Sequence, residues 1–163
     1  MMPAFVYRYA MSDLHIYPLP ALARPLLEKF YRSHRSPMRL PAQGQAWVVK
    51  EAQIVAALCL TPVRHGHWLT GLFVAASWRG QGLARRLIDQ AHSQCSGPLW
   101  LFCHPDLQGF YQSLGFVTAV ELPAELAERL ARYQRSKALV ALLRDQSSAL
   151  GSRSGNSTSV NPN

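Results

Sequence analysis

The chain has 163 residues, 48% of them hydrophobic and 16% charged, which is one domain's length with enough apolar material for a core and excludes a disordered chain. No run reaches the roughly 18 uninterrupted apolar residues of a membrane span, and the N-terminal stretch lacks a signal peptide's basic flank, apolar run and small-residue cleavage site, so the expected location is the cytoplasm, with no membrane partner. The formal net charge of +8 suits an anionic partner such as nucleic acid or a phosphorylated cofactor.

Residues 1–13 read as an N-terminal extension, extended over 4–9, ahead of a domain expected over 14–145. A short strand is expected at 15–19, ended by Pro18 and Pro20. Over 21–33, Leu22, Leu26, Leu27 and Phe30 recur at helical spacing, and Pro25 is tolerated if the regular helix begins there. Pro37, Pro41 and Gly44 make 36–44 a loop. Three strand patterns come next at 46–50, 53–62 and 68–74, the last two separated by a turn at His65, Gly66 and His67. After a glycine-bearing loop, Leu83, Leu87, Ile88 and Ala91 form one face of a helix. Gly97 and Pro98 end it, and 99–103 is a continuous apolar run of the buried-strand kind. Pro105 starts a short helix with Leu107, Phe110, Tyr111 and Leu114 on one side and Gly115 as its stop. Strand character returns at 116–121. A helix is then expected over 123–137, with Glu125 and Glu128 early and Arg129, Arg132, Arg135 and Lys137 late, as its dipole favours. A last strand spans 138–143, and the polar residues of 146–163 read as a disordered tail. The fold class is therefore α/β, a mixed sheet of six to seven strands flanked by helices, with at least one strand–helix–strand crossover.

Cys59, Cys95 and Cys103 form no C-x-x-C, and the six histidines follow no zinc spacing, so reduced thiols and no metal are expected. The chemistry concentrates where the strand ending at Val74 runs through Arg79, Gly80, Gln81, Gly82, Leu83 and Ala84 into a helix. A helix's first turn has amides without intrahelical acceptors, and these with the helix dipole form an anion site. Gly80 and Gly82 let a phosphate approach the backbone, and Arg79, with Arg85 as a second candidate, adds charge. The lysine and hydroxyl of a P-loop are absent, and Arg85 stands where a dinucleotide fingerprint needs its third glycine. Taken alone, the two glycines also fit a plain connecting turn.

This segment resembles the central motif of the GNAT superfamily of N-acetyltransferases, Arg/Gln-x-x-Gly-x-Gly/Ala after a strand ending in valine: Val74, Arg79, Gly82 and Ala84 match. The stretch from His104 to Phe116 resembles the family's Asn-x-x-Ala-x-x-Phe/Leu-Tyr-x-x-x-Gly-Phe helix through Phe110, Tyr111, Gly115 and Phe116, with His104 replacing the asparagine and Leu107 the alanine. The resemblance covers roughly residues 14–143 in element order. It implies a GNAT-like fold and acetyl-CoA as co-substrate, with no metal. Pantetheine would pair along Leu72, Phe73 and Val74, and the pyrophosphate would lie on the amides of residues 79–84, with His104 and Phe110 also on the cofactor side. An N–H near Leu72 would polarise the thioester carbonyl, and Tyr111 would be the general acid for the departing thiolate. Without the motif around it, Tyr111 would read as a core aromatic on a helical stripe.

Many members place a glutamate as base near Thr70, and no acid stands there. His67, with His65 beside it, is the candidate base by location; two turn histidines without a role, or a water chain, remain open. In the family the acceptor enters beside the first helix and the loop after it, where this chain has Tyr31, Arg32, His34, Arg35 and Arg39. Such a mouth disfavours polycations and suits a small-molecule or peptide amine that also bears a carboxylate or phosphate. The helix over 123–137 exceeds the family's usual connection and is expected either to cover the acceptor side or to make a dimer contact, so monomer and homodimer both stand. Two other readings stand beside the enzyme: a silent acyl-CoA-binding module, and a basic nucleic-acid binder, for which no recognition motif is present.

Overall fold

The computed structural model describes residues 14–146. The extended segment expected at 4–9 and the tail expected beyond 146 lie outside the described residues; Gln146 itself hydrogen-bonds the Cys95 carbonyl. Seven strands form one sheet: β1 (His15–Pro18), β2 (Gln45–Lys50), β3 (Ile54–Val63), β4 (Gly66–Val74), β5 (Leu99–Cys103), β6 (Val117–Thr118) and β7 (Val140–Arg144), in the spatial order β1-β2-β3-β4-β5-β7-β6. Every neighbouring pair is antiparallel except β4 and β5, which are parallel. A parallel pair needs a crossover, and helix α2 (Leu83–Ser93) supplies it. The expected mixed sheet of six to seven strands is thus realised with seven among the described residues.

The helices cover both faces. Helix α1 (Arg24–Ser33) has Pro25 in its first turn and is preceded by a 3₁₀ turn at Ala21–Ala23, so the regular helix starts where the proline allows. It buries Leu27, Phe30 and Tyr31 against Ala46, Val48 and Ala57 of β2 and β3. On the opposite face α2 buries Leu83, Leu87, Ile88 and Ala91 against Trp47, Val49, Leu58, Leu60 and Leu69. Helix α3 (Gln108–Ser113) is short, and Phe116 after it is buried in the α2-side core.

Helix α4 (Ala124–Tyr133) covers a third cluster through Leu126, packed with Trp68 and Trp100, and Arg129 stacks 4.5 Å over the Trp68 ring. It ends four residues before the expected 137, in turns closed by Arg135 and Ser136 amides. The strand expected at 116–121 shrinks to Val117–Thr118, because Phe116 turns into the core while Val120 is 95% exposed. Leu107 and Phe110, expected on the apolar side of their helix, are about half exposed, and Tyr111 and Leu114 are the residues that pack inward.

Two irregularities of β4 shape its C-terminal end. It pairs with β5 only at His67↔Leu99 and Trp68↔Trp100, so the two strands part beyond Trp68. Against β3 its register shifts: Thr70 faces Cys59 and Phe73 faces Ala57, so Gly71 and Leu72 together oppose Leu58. This is a β-bulge, and Gly71 holds φ +65°, where a side chain would be strained. The extra residue flips the strand's alternation. Leu69 before the bulge and Leu72 and Val74 after it pack on the α2 side, while Phe73 turns to Phe30 and Tyr31 of α1.

Candidate active site

The turn from β4 into α2 begins with Arg79 in extended conformation. Its Nε donates to the Val74 carbonyl at 2.9 Å and its guanidinium lies 5.4 Å from the Phe73 ring centre, so the side chain closes the strand's end; no protein acceptor takes its Nη groups among the described residues. Gly80 and Gly82 come next with φ +76° and +75°, and Gly82 is the α2 N-cap. No side chain caps the helix, and the first helical closure is the Arg86 amide on the Gly82 carbonyl. The amides of residues 80–85 therefore have no backbone acceptor in the turn or in the helix. A Cβ placed on Gly80 or Gly82 meets nothing within 4 Å among the described residues, so the space beside these two glycines is open. Leu83 is buried and Ala84 packs against the same core, so both offer the site their N–H groups, not their side chains. Arg85 reaches the Ser113 carbonyl and pins α2 to the end of α3. It therefore ties two helices together, where the sequence reading offered it as a second free cation.

Leu72, Phe73 and Val74 form the end of β4 beside the gap left by β5. Tyr111, on α3, packs against the core by Cys103, the last residue of β5, and lies edge-on to Phe110 and Phe116. Burial, and then the neighbouring Cys103, push its hydroxyl up to about 12, so it carries its proton at neutral pH. His104 replaces an asparagine without loss of the cap: its Nδ1 accepts the Asp106 amide at 3.1 Å at the start of a 3₁₀ turn. A ring nitrogen that accepts an amide proton is bare, so its 3.4 Å approach to the Asp106 carboxylate is not an ion pair in that state. Phe110, half exposed, presents its ring to solvent on the same helix.

The fold does not bring His67 to this place. It sits near the start of β4, five residues before Leu72, and at the rise of a strand that is about 16 Å. Its ring lines a 720 Å³ cavity with Gln43, Gln45, Gln90, Gln94 and Cys95, by the C-terminal half of α2. His65 turns the chain just before it with φ +68°. This cavity lies at the wrong end of α2 for an anion: the open amides are at the other end. Thr70 places a buried hydroxyl without a partner where a carboxylate was sought.

A second cavity, of 500 Å³, lies between α1 and the loop after it, lined by Glu28, Tyr31, Arg32, Arg39, Met38 and Leu40 among others. Three of the five expected acceptor residues, Tyr31, Arg32 and Arg39, stand here. His34 instead stacks 4.8 Å from Phe30 and 5.8 Å from Phe73, and Arg35 occupies the turn with φ +54°. Glu28 was not anticipated, although its i, i+4 spacing from Arg32 puts both on one face of α1. Tyr31 runs from this cavity to β4, where its hydroxyl donates to the Gly71 carbonyl at 2.7 Å. Among the described residues no three His, Cys, Asp or Glu side chains converge as a metal site, and all three cysteines are free thiols, Cys59 and Cys103 buried and Cys95 half-buried.

Residues 42–118 match the acetyltransferase (GNAT) domain family. Over this segment the chain matches the GNAT acetyltransferases. That family implies acyl transfer from acetyl-CoA. Among solved structures, the protein is similar in fold to an acetyltransferase of the GNAT family from Staphylococcus aureus Mu50, at 15% identity and TM-score 0.57, over 81% of this chain and 98% of that one. It is similar to a chimera of the spermidine N-acetyltransferase of Vibrio cholerae, at 17% identity and TM-score 0.55, over 85% and 99%. It is also similar to N-acetylglutamate synthase from Neisseria gonorrhoeae in complex with coenzyme A and N-acetyl-glutamate, at 18% identity and TM-score 0.54, over 81% of this chain and 35% of that one. No curated protein matches by sequence. At these identities the likeness to the solved structures is one of fold.

Proposed function

We propose that the protein is an N-acetyltransferase that moves the acetyl group of acetyl-CoA to a primary amine by direct attack in a ternary complex. The observation that carries this is the glycine turn at the α2 N-terminus, whose amides over residues 80–85 have no backbone acceptor and whose Gly80 and Gly82 border open space, at the end of a strand that its parallel neighbour has left. A pyrophosphate fits there: the amides and the helix dipole favour it, the two left-handed glycines leave it room, and Arg79 has unused donors. The pantetheine arm then runs along Leu72, Phe73 and Val74 in the gap beside β5, with His104 and Phe110 flanking it on the α3 side. A fold neighbour that holds coenzyme A supports acetyl-CoA as the co-substrate.

The chemistry needs no enzyme nucleophile. The amine nitrogen attacks the thioester carbon, the carbonyl oxygen gains negative charge against an N–H at Leu72, and the C–S bond then breaks. Sulfur leaves with the bonding pair and takes the Tyr111 proton. Burial disfavours both a bare thiolate and the phenolate left on Tyr111, so the transfer is completed when that phenolate regains a proton from solvent, matching the one the amine releases. The proton lost by the amine passes to water. Holding both reactants in line supplies much of the rate.

The 500 Å³ cavity is the place for the acceptor. The Vibrio cholerae neighbour is named for spermidine, and the Neisseria gonorrhoeae one holds N-acetyl-glutamate. Charge favours the second kind here: Arg32 and Arg39 line the cavity against a single carboxylate, Glu28, so an amine that also bears a carboxylate or phosphate is attracted and a polycation repelled. The test is release of free thiol from acetyl-CoA with amino acids, peptides, phosphorylated amines, spermidine and aminoglycosides. Turnover concentrated on the anionic amines is expected. Preference for spermidine would overturn the acceptor assignment, and coenzyme A binding without turnover on any amine would leave an acyl-CoA-binding module.

A further inference from the structure

We propose that Tyr31 is a positioning residue: by holding the Gly71 carbonyl it sets the plane of the Gly71–Leu72 peptide, and with it the aim and donor strength of the Leu72 N–H. The inference rests on the reading above that this N–H faces the thioester oxygen, and it adds a residue that the motifs do not reach.

A peptide unit is rigid and, in this chain, trans, so its C=O and its N–H point in nearly opposite directions from one plane. In a regular ladder the neighbouring strand fixes that plane. At the bulge, two residues of β4 share Leu58 as a partner, and the ladder is disrupted there. Gly71, with no side chain and φ +65°, has the widest conformational freedom of any residue in this part of the strand. The Tyr31 hydroxyl supplies a fixed point: it donates to the Gly71 carbonyl at 2.7 Å. The donor is itself well held, since Tyr31 is 2% exposed in the α1-side core and its ring lies edge-on to Phe73, the residue after Leu72. A hydrogen bond accepted by a peptide carbonyl also polarises the N–H of the same unit, so the bond strengthens the donor that it aims. Burial raises the phenol well above its ordinary value, so the hydroxyl stays a proton donor throughout the working pH range. Close contact adds a second constraint, because a Cβ on Gly71 would stand 2.9 Å from this oxygen. Tyr31 also lines the 500 Å³ cavity, so one side chain joins the acceptor's wall to the peptide that polarises the acyl donor.

The test is Tyr31→Phe in the full chain, which keeps the ring and removes the hydroxyl. Three readouts are compared with the native protein: coenzyme A affinity by calorimetry, steady-state kcat and KM, and the infrared stretch of bound [1-¹³C]acetyl-CoA in the absence of acceptor. Expected are coenzyme A affinity within about twofold, kcat lower by about tenfold or more, and a carbonyl stretch returned toward its position in water. Loss of packing alone would not move the carbonyl stretch. Gly71→Ala, which crowds the hydroxyl off its acceptor, is expected to release the stretch in the same way and serves if the first variant folds poorly. A native protein whose bound carbonyl shows no shift would overturn the oxyanion assignment. A native shift that both variants retain, with kcat unchanged in Tyr31→Phe, would overturn the role of Tyr31 alone.

Discussion

Substituting Gly82 by alanine separates the anion site from mere connection of strand to helix. Gly82 has φ +75° and ψ 16° at the α2 N-cap. An L-residue in that region costs roughly 1–2 kcal/mol. The added Cβ meets no atom of the described residues within 4 Å, so no steric term is added among them. For a chain of this size the strain corresponds to a Tm lower by roughly 2–8 °C. Coenzyme A would notice more, because the methyl enters the space that its diphosphate needs. Losing one charge-assisted hydrogen bond to a backbone amide costs about 1.5–3 kcal/mol, which weakens affinity roughly 10- to 100-fold. Calorimetric titration of coenzyme A, paired with thermal melts without ligand, gives both numbers. Gly82→Asn, better suited to the left-handed region, should recover much of the Tm while still losing affinity. A Kd unchanged within twofold while Tm falls would refute the argument and leave the two glycines as a turn.

The geometry supports three further predictions. Tyr111→Phe should lower kcat by about 100- to 10,000-fold with coenzyme A affinity unchanged, the span of general acid catalysis; an unchanged kcat would return Tyr111 to the core. His67→Ala should leave kcat and the acceptor KM within about twofold, since His67 lies some five residues of strand from Leu72; a large loss of kcat would restore it as the base. His92 is buried, its Nε2 bonded to the Gly97 carbonyl and its ring near Arg144 and Asp89, and desolvation lowers its pKa below the ordinary histidine value. The unfolded chain then binds a proton that the folded chain refuses, so His92's contribution to stability is full above that ordinary value and is lost as pH falls below it. Melts between about pH 8 and pH 5.5 should show Tm declining on the acid side, with a smaller decline in His92→Gln. A variant that declines as steeply as the native protein would contradict this.

Much of the fold was legible because its elements are strongly patterned. The apolar run at 99–103, the amphipathic face of α2 and the proline at the start of α1 all appear where the residues put them. The glycine turn was legible for the same reason: φ above zero at Gly80 and Gly82 is what those residues permit. Less visible was anything that depends on which strand lies beside which. The register slip that makes Gly71 a bulge comes from pairing with β3, although a glycine inside a strand pattern is a known sign of one. His67 is near Thr70 in sequence, but along a strand a few residues is a long way, and the bulge lies between it and Leu72. Arg85 looked free until α3 brought the Ser113 carbonyl to it. Val120 fits a strand by type, yet the chain leaves β7 after Ala119 and no neighbour covers it. Glu28 went unread because α1 was judged by its buried stripe, whereas the cavity needs the loop at 36–40 folded back over the other side. Helix α4 covers Trp68 and Trp100 on the sheet, and it does not line the 500 Å³ cavity proposed for the acceptor.

The most direct measurement is a titration of coenzyme A into ¹⁵N-labelled protein, monitored by amide spectra. Saturable shifts centred on the amides of residues 80–85, with weaker ones at Leu72, Phe73 and Val74, are the expected result. Spectra that do not change, or shifts gathered instead around His67 and Gln94 in the 720 Å³ cavity, would contradict the account.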